Sequence, residues 1–364
     1  MQTKKDIPSK TIIKSNLKSS AEILDEYITR TLNRHSNVVT NWVDALLLQN
    51  IDFKNSSQEV KKPDSQVEPK QKIEKTPPVE EEKINPLLEN NTNVVNINKS
   101  ERKNTRKLAE FKLNSLNDKL EEHFKQGNYE KVLSAGEKIL QLAQKLDNKD
   151  IQAKIHMNIA TIQDENNNFP AALEHYNAVV NLSSQTGDKK IQAKAHYNMG
   201  YIYDDLGKTK PALDHYYASL ALNGETENIK DQALTLNNIG NILASKKEYR
   251  KALEHYKLSY NFAKDQDDKT GQASVLSNVA GVFKNLQEDK KALEYYRESI
   301  KLDLEAGNLD GCAKSYEHAG DIMLKNKQFD KAETLYSKSK SIAQQIGDKN
   351  WFTRMTEKIN KLAA

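Results

Sequence analysis

The sequence predicts an all-α fold: an α-solenoid of about six helix-turn-helix repeats followed by a C-terminal capping helix. Three observations predict it. A phrase built on Ala-Leu and a following Tyr recurs with its anchors at 172, 212, 252 and 292, with an earlier copy at Val132-Leu133 and a degraded one at Ala332, all intervals being equal and free of insertions. Each interval holds two helix-period patterns, one ending near Gly200 or its equivalents and one opening at the Ala-Leu phrase. Gly and Asn/Asp breaks, such as Leu206-Gly207-Lys208 and Thr186-Gly187-Asp188, separate the patterns where helices must end. A fixed period of this length marks a stack of identical supersecondary units.

The chain divides by composition. Residues 1–19 are polar and Lys-rich and read as disordered. Residues 20–50 carry Ile23, Leu24, Tyr27, Ile28 and Leu32, then Val38, Val39, Trp42, Val43, Leu46 and Leu47, at helical spacing on either side of His35-Ser36-Asn37. They read as two short amphipathic helices. Residues 51–104 contain Pro63, Pro69, Pro77, Pro78 and Pro86 among Lys, Glu, Asn and Ser, and are expected to form a flexible linker. Within it, Val94-Val95-Asn96-Ile97 is either a docking motif or a chance cluster. Residues 105–364 hold the repeats, and the last stretch, Trp351 to Ala364, supplies one helix with Arg354, Lys358 and Lys361 on its polar side. It is expected to cap the stack, with Trp351 and Phe352 sealing the last interface.

Composition narrows the function classes. The 364 residues include 55 basic and 51 acidic ones, a net charge of +4, so no basic stripe points to nucleic acid. The single cysteine, Cys312, argues against a disulfide framework or a Cys-rich metal site. No apolar run approaches the roughly 18 residues that a membrane span needs, and the opening residues do not read as a secretory signal, so the expected location is cytoplasmic. A phosphate loop, a nucleophile elbow, His-Glu-x-x-His and paired CxxC are all absent, and the chain is not expected to be an enzyme or to hold a cofactor.

Small residues at 160, 200, 240, 280 and 320 in the first pattern, and at 172, 212, 252, 292 and 332 in the second, mark where helix axes approach. Tyr176, Tyr216, Tyr256, Tyr296 and Tyr336 are the expected aromatic core anchors between repeats.

These units, with Asn-Met-Gly200 or Asn-Ile-Gly240 in the first helix and Ala-Leu plus Tyr in the second, resemble tetratricopeptide repeats. Their period is longer than the usual length of roughly 34 residues. It implies longer helices, similar to those of Pins-type scaffolds, kinesin light chains and Rap-type regulators. The resemblance implies a right-handed superhelix with the first helices lining its concave face.

Asn158, Asn198, Asn238 and Asn278 recur once per period, two residues before the small position of the first helix. Asn is a mediocre helix former, and its carboxamide both donates and accepts. The resemblance implies that such a ladder pairs with the backbone of an extended peptide held in the groove. The alternative is that these residues satisfy backbone groups between helices. Lys154, Lys194, Tyr201 and Asn241, one turn away, are the expected specificity positions. Met157, Tyr197, Asn237 and Ser277 stand where chaperone-binding relatives have a carboxylate-clamping Lys, so chaperone tails are not the expected partner. His175, His215 and His255 also recur once per period, but adjacent repeats are too far apart for ligation at ~2 Å, and no metal is expected. The function expected is a scaffold gripping a protein or peptide partner. The alternative is a regulator whose own residues 20–50 dock on the solenoid and switch it.

Overall fold

The computed structural model describes residues 99–363. The segments 1–19 and 20–50, and the linker as far as residue 98, lie outside the described residues. The described residues form an all-α repeat solenoid of thirteen helices with no strand. In chain order the helices are α1 (Lys99–Lys125), α2 (Tyr129–Lys145), α3 (Lys149–Glu165), α4 (Phe169–Thr186), α5 (Lys189–Asp205), α6 (Thr209–Glu225) and α7 (Ile229–Ser245). They continue as α8 (Tyr249–Asp265), α9 (Lys269–Asn285), α10 (Asp289–Ala306), α11 (Leu309–Lys325), α12 (Phe329–Ile346) and α13 (Lys349–Ala363). Odd-numbered helices are the first helices of successive repeats and even-numbered ones the second, with α13 unpaired.

The half-repeat is as regular as the repeat. A residue with positive φ stands at 127, 147, 167, 187, 207, 227, 247, 267, 287, 307, 327 and 347, once per half-repeat at constant spacing. It ends each helix in the left-handed conformation. In most copies the amide that follows reaches back five residues, as Asn128 N–H does to the His123 carbonyl at 2.9 Å. The first helices then start on a side-chain cap. Asn148, Asp188, Asn228, Asp268, Asn308 and Asp348 each accept from a backbone N–H of the first turn, satisfying donors a helix start leaves orphaned. The second helices from α2 to α12 have no such bond.

From α3 to α11, each first helix packs on the second helix of its repeat over a small residue, whereas α1 has Leu120 at that position. A Cβ placed on Gly200, Gly240 or Gly320 would come within 2.8, 2.6 and 2.6 Å of the rings of Tyr216, Tyr256 and Tyr336. The tyrosine therefore lies flat against its own repeat's first helix, over glycine in these three repeats and over Ala160 and Ala280 in two others. Its hydroxyl reaches further: that of Tyr176 accepts from Asn198 of the next repeat at 3.0 Å. Tyr176 and Tyr216 thus join two repeats, through the ring on one side and the oxygen on the other, whereas the Tyr256 and Tyr336 hydroxyls donate to Asn241 and Asp321 of their own repeat. Ser259, Ser299 and Ser339 of the second helices donate to the carbonyls of Ala233, Ala273 and Ala313 at 2.7–2.9 Å, tying the two helices of each repeat together. The core runs along the stack as four apolar clusters rather than around one centre.

First helices also touch one another, α1 with α3, α3 with α5, α7 with α9 and α9 with α11, while no comparable contact joins second helices among the described residues. The first helices are therefore on the inner side of the curve, as expected. At its far end the stack is closed by α13. Trp351 and Met355 are buried there, with Phe352 packed beside them. Arg354 and Lys358, expected on an outward polar face, instead turn to the preceding first helix. Arg354 Nη2 lies 2.7 Å from Glu317 Oε2, and Lys358 Nζ lies 2.9 Å from Glu317 Oε1 and 2.7 Å from Asp321 Oδ1.

Candidate functional site

The inner face is built from helix positions that recur once per repeat. One line runs Lys154, Lys194, Leu234, Ser274 and Lys314, all exposed. Two turns further along the same helices lie Thr161, Tyr201, Asn241, Gly281 and Asp321. Tyr201 is 55% exposed, unusual for a tyrosine in the middle of a helix. Gly281 has no packing reason to be glycine, since a Cβ there would meet only Tyr296 Oη at 4.0 Å. Asn241 accepts from the Tyr256 hydroxyl at 2.7 Å, which leaves its amide nitrogen as a donor.

The Asn ladder lies between these two lines, and its amide nitrogens are engaged within the solenoid. Asn158 Nδ2 donates to Glu121 Oε1 at 3.0 Å. Asn198 Nδ2 donates to Tyr176 Oη at 3.0 Å, and Asn238 Nδ2 to Tyr197 Oη at 2.9 Å and Tyr216 Oη at 3.4 Å. Asn278 Nδ2 donates to Asn237 Oδ1 at 3.0 Å. Every one of these bonds crosses to the preceding repeat. The ladder thus stitches the inner layer together. Asn158 is buried, while Asn198, Asn238 and Asn278 are half-buried, and none of the four carboxamide oxygens is a buried atom lacking a partner. The oxygens are what the ladder has to offer a ligand.

Electrostatics polarise the inner face in the second and third repeats. Lys154 and Lys194 stand near the starts of α3 and α5. Asp164, Asp204 and Asp205 stand at their ends, about 15 Å away for ten residues of helix. Burial first, and then the charge of Asp205, raise the carboxyls of Asp164 and Asp204 above the ordinary range. A cationic group placed there would relieve that repulsion.

The repeated histidines meet in a way their spacing along one helix did not suggest. His175 lies 2.8 Å from His156, Nδ1 to Nδ1, and His215 lies 3.0 Å from His196, each pair spanning the two helices of a single repeat. His255 instead bonds the Lys251 carbonyl at 2.8 Å. Burial, with the partner ring's charge second, lowers His156 and His196 to about 4. No group of three or more His, Cys, Asp or Glu among the described residues could hold a metal ion. Cys312 is buried, and burial raises its thiol to about 11, away from the reactive thiolate. A shallow depression on α12, lined by Asp330, Glu333, Thr334, Ser337, Lys338 and Ser341, draws all its walls from one helix and has no facing element among the described residues. No helix among the described residues is long and apolar enough to cross a membrane.

Comparison with known proteins agrees with this geometry. Residues 231–305 and 193–226 each match a family model described as tetratricopeptide repeat. No curated protein matches the chain at a significant level. Among solved structures, the chain is similar to BtubC (BKLC) from P. vanneervenii, at 15% identity and a TM-score of 0.53 over 60% of this chain and 92% of that one. It is similar to aspartyl phosphate phosphatase F from Bacillus subtilis, at 16% identity and a TM-score of 0.55 over 61% of this chain, which spans 59% of the phosphatase. It is also similar to the apo form of RapI, at 14% identity and a TM-score of 0.53 over 69% of this chain and 97% of that one. At such identities the likeness is one of fold. The chain carries tetratricopeptide repeats, and its described part is the α-solenoid that such repeats build.

Proposed function

We propose that this chain is a non-catalytic cytoplasmic scaffold that holds an extended peptide segment of a partner protein along the inner face of its first helices. The observation that carries this reading is the line of Tyr201, Asn241 and Gly281. An exposed aromatic, a carboxamide with a spare amide nitrogen, and a glycine with open space beside it stand in register on three successive first helices. Glycine inside a helix is less favourable than alanine by about 1 kcal/mol. Here no close neighbour compensates, which suits a site where a ligand's backbone comes close. Neighbouring first helices stand roughly 10 Å apart, so an extended chain at ~3.3 Å per residue presents about three residues per repeat. The half-buried Asn198, Asn238 and Asn278 would then accept from peptide N–H groups through their carboxamide oxygens. Asn158, buried and bonded to Glu121, contributes to the wall. Lys154 and Lys194 would meet an acidic side chain, and the Asp164, Asp204 and Asp205 cluster a basic one.

The test is selection of binders from a random linear peptide library against the intact protein, followed by affinity measurement on single variants. Tyr201→Ala and Lys194→Glu are expected to weaken selected peptides at least tenfold. Glu298→Lys, on the outward side of α10, is expected to leave them unchanged. Equal affinity for all four proteins would remove the inner face from consideration.

A further inference from the structure

The two ends of the stack are finished differently. At the far end α13 buries Trp351 and Met355 in a cluster with Tyr336 and Ala343 of α12. In α3 the face turned to the preceding repeat carries Ile151, Ile155, Ile159 and Ile162, all buried in one cluster with Ile139 and Ala143 of α2. The same register positions in α1 are Phe111, Ser115, Lys119 and Glu122, and all four are exposed. Phe111 is 72% exposed, and Leu108, one turn before it, is 64% exposed. Among the described residues no second helix precedes α1, so the face that each later repeat buries stands bare here.

α1 also runs on past its repeat. It has 27 residues where α3, α5, α7, α9 and α11 have 17. It ends at Lys125, in register with the end of α3 at Glu165, so the added turns are all at its start. In sequence they are basic, with Lys99, Arg102, Lys103, Arg106 and Lys107 against Glu101. Residues 103–108 are exposed. Arg106 reaches back to Glu110 at 2.9 Å and to the Leu146 carbonyl at 3.3 Å. An exposed helical stretch this short is marginal in water, and Lys103 and Lys107, like charges one turn apart, weaken it further. A neighbour both apolar and acidic, lying over Leu108 and Phe111, would stabilise it.

We propose that the amphipathic segment 20–50 of the same chain docks on this bare face of α1 and caps the stack there. Its pattern is that of two helices on either side of His35-Ser36-Asn37, the kind of unit that precedes every later first helix. Ile23, Leu24, Tyr27, Ile28 and Trp42 supply apolar residues to cover Leu108 and Phe111. Glu22, Asp25, Glu26 and Asp44 outnumber Arg30 and Arg34 and complement Lys107, Lys112 and Lys119, which border or lie on the face. A second copy of α1 is the poorer occupant, because it would bring those lysines against their own counterparts. The tether reaches. Residues 51–98 have a root-mean-square span of about 35–42 Å as a flexible chain, and Phe111 lies about 18 Å along the helix from its start at ~1.5 Å per residue. Such a tether holds the segment at a local concentration near millimolar. The seat lies apart from the line of Tyr201, Asn241 and Gly281, so this inference is independent of what the groove holds.

The experiment is hydrogen exchange with mass spectrometry on the full-length protein, at concentrations where sedimentation shows a monomer. Three forms are compared: wild type, Leu108→Glu with Phe111→Glu, and Ile28→Asp with Trp42→Asp. The first pair of changes falls on exposed residues, so the solenoid keeps its fold, which unchanged exchange over 149–363 verifies. In the wild type, peptides from 20–50 are expected to exchange at least tenfold more slowly than unstructured chain. Leu108→Glu with Phe111→Glu should abolish that protection. The segment variant, which alters no solenoid residue, should raise exchange at 99–112 severalfold. Fast exchange of residues 20–50 in the wild type would overturn the proposal. So would protection that survives Leu108→Glu with Phe111→Glu, which would place the segment elsewhere, or protection that appears only as concentration rises, which would make the occupant a second copy.

Discussion

His156 Nδ1 stands 2.8 Å from His175 Nδ1, and the pair recurs in the next repeat as His196 and His215 at 3.0 Å. At that distance one ring donates and the other accepts, which is possible only while at most one of the two carries a charge. Burial already lowers all four histidines below their ordinary value, His156 and His196 to about 4. A histidine whose folded pKa is depressed binds protons more readily unfolded. The stability held above the unfolded value of 6.5 is then lost as pH falls through the window down to about 4. The melting temperature should fall over that window, and His156→Gln with His196→Gln should flatten the dependence. A thermal melt at half-unit pH steps checks it.

Asp303 gives the opposite sign. Burial raises its carboxyl to about 6, although Asn308 donates to it at 2.7 Å. The folded state therefore holds a proton that the unfolded chain has released, and stability falls as pH rises from 3.8 through about 6. In the same register two repeats earlier stands Asn223, which bonds Ser219 as an asparagine at 303 could bond Ser299. Asp303→Asn should raise the melting temperature at pH 7.5 and leave it unchanged below pH 4, as read by paired melts in two buffers.

Two helix-interior glycines should respond oppositely to the same change. Gly240→Ala sets a methyl 2.6 Å from the Tyr256 ring, which is 2% exposed, so the buried ring has to shift. It should destabilise by about 1–3 kcal/mol. Gly281→Ala meets no close atom and should stabilise by up to about 1 kcal/mol while weakening peptides that lie in the groove. Denaturant melts give the first two signs, and peptide affinity gives the third.

Lys247 has φ +63° on an exposed turn. A side chain in that region is unfavourable by about 1 kcal/mol relative to glycine. Lys247→Gly should raise stability by roughly that amount, measured by urea titration with an unchanged slope.

The fold was legible because packing repeats residue by residue. The constant period, the Gly200 and Gly240 positions and the tyrosine anchors are each demanded by helices approaching at a fixed distance, so each appears in the letters themselves. The turns were only half legible. Gly187 and Gly207 announce a left-handed residue, but Glu227, Lys247 and Gln287 adopt it because the flanking helices impose the geometry, and their side chains give no sign of it. The inner face was readable as positions and not as bonds. The periodicity of the asparagines was plain, whereas the commitment of their nitrogens to Glu121, Tyr176, Tyr197 and Asn237 depends on curvature between repeats. The same holds for the histidines. His156 and His196 recur at the same interval as His175 and His215, and a comparison of the two helices of one repeat would have paired them.

The most direct test of peptide binding on the inner face is photo-crosslinking from single positions in the full-length protein, under native conditions with its cellular partners present. A photoreactive phenylalanine at position 201, 241 or 281 is expected to capture one and the same partner segment, with attachment points about three residues apart from one position to the next. The same group at Ser337, on the outer surface, is expected to capture none of it. Capture of that segment at Ser337 and not at 201, 241 or 281 would contradict the account and move the binding surface to the second helices.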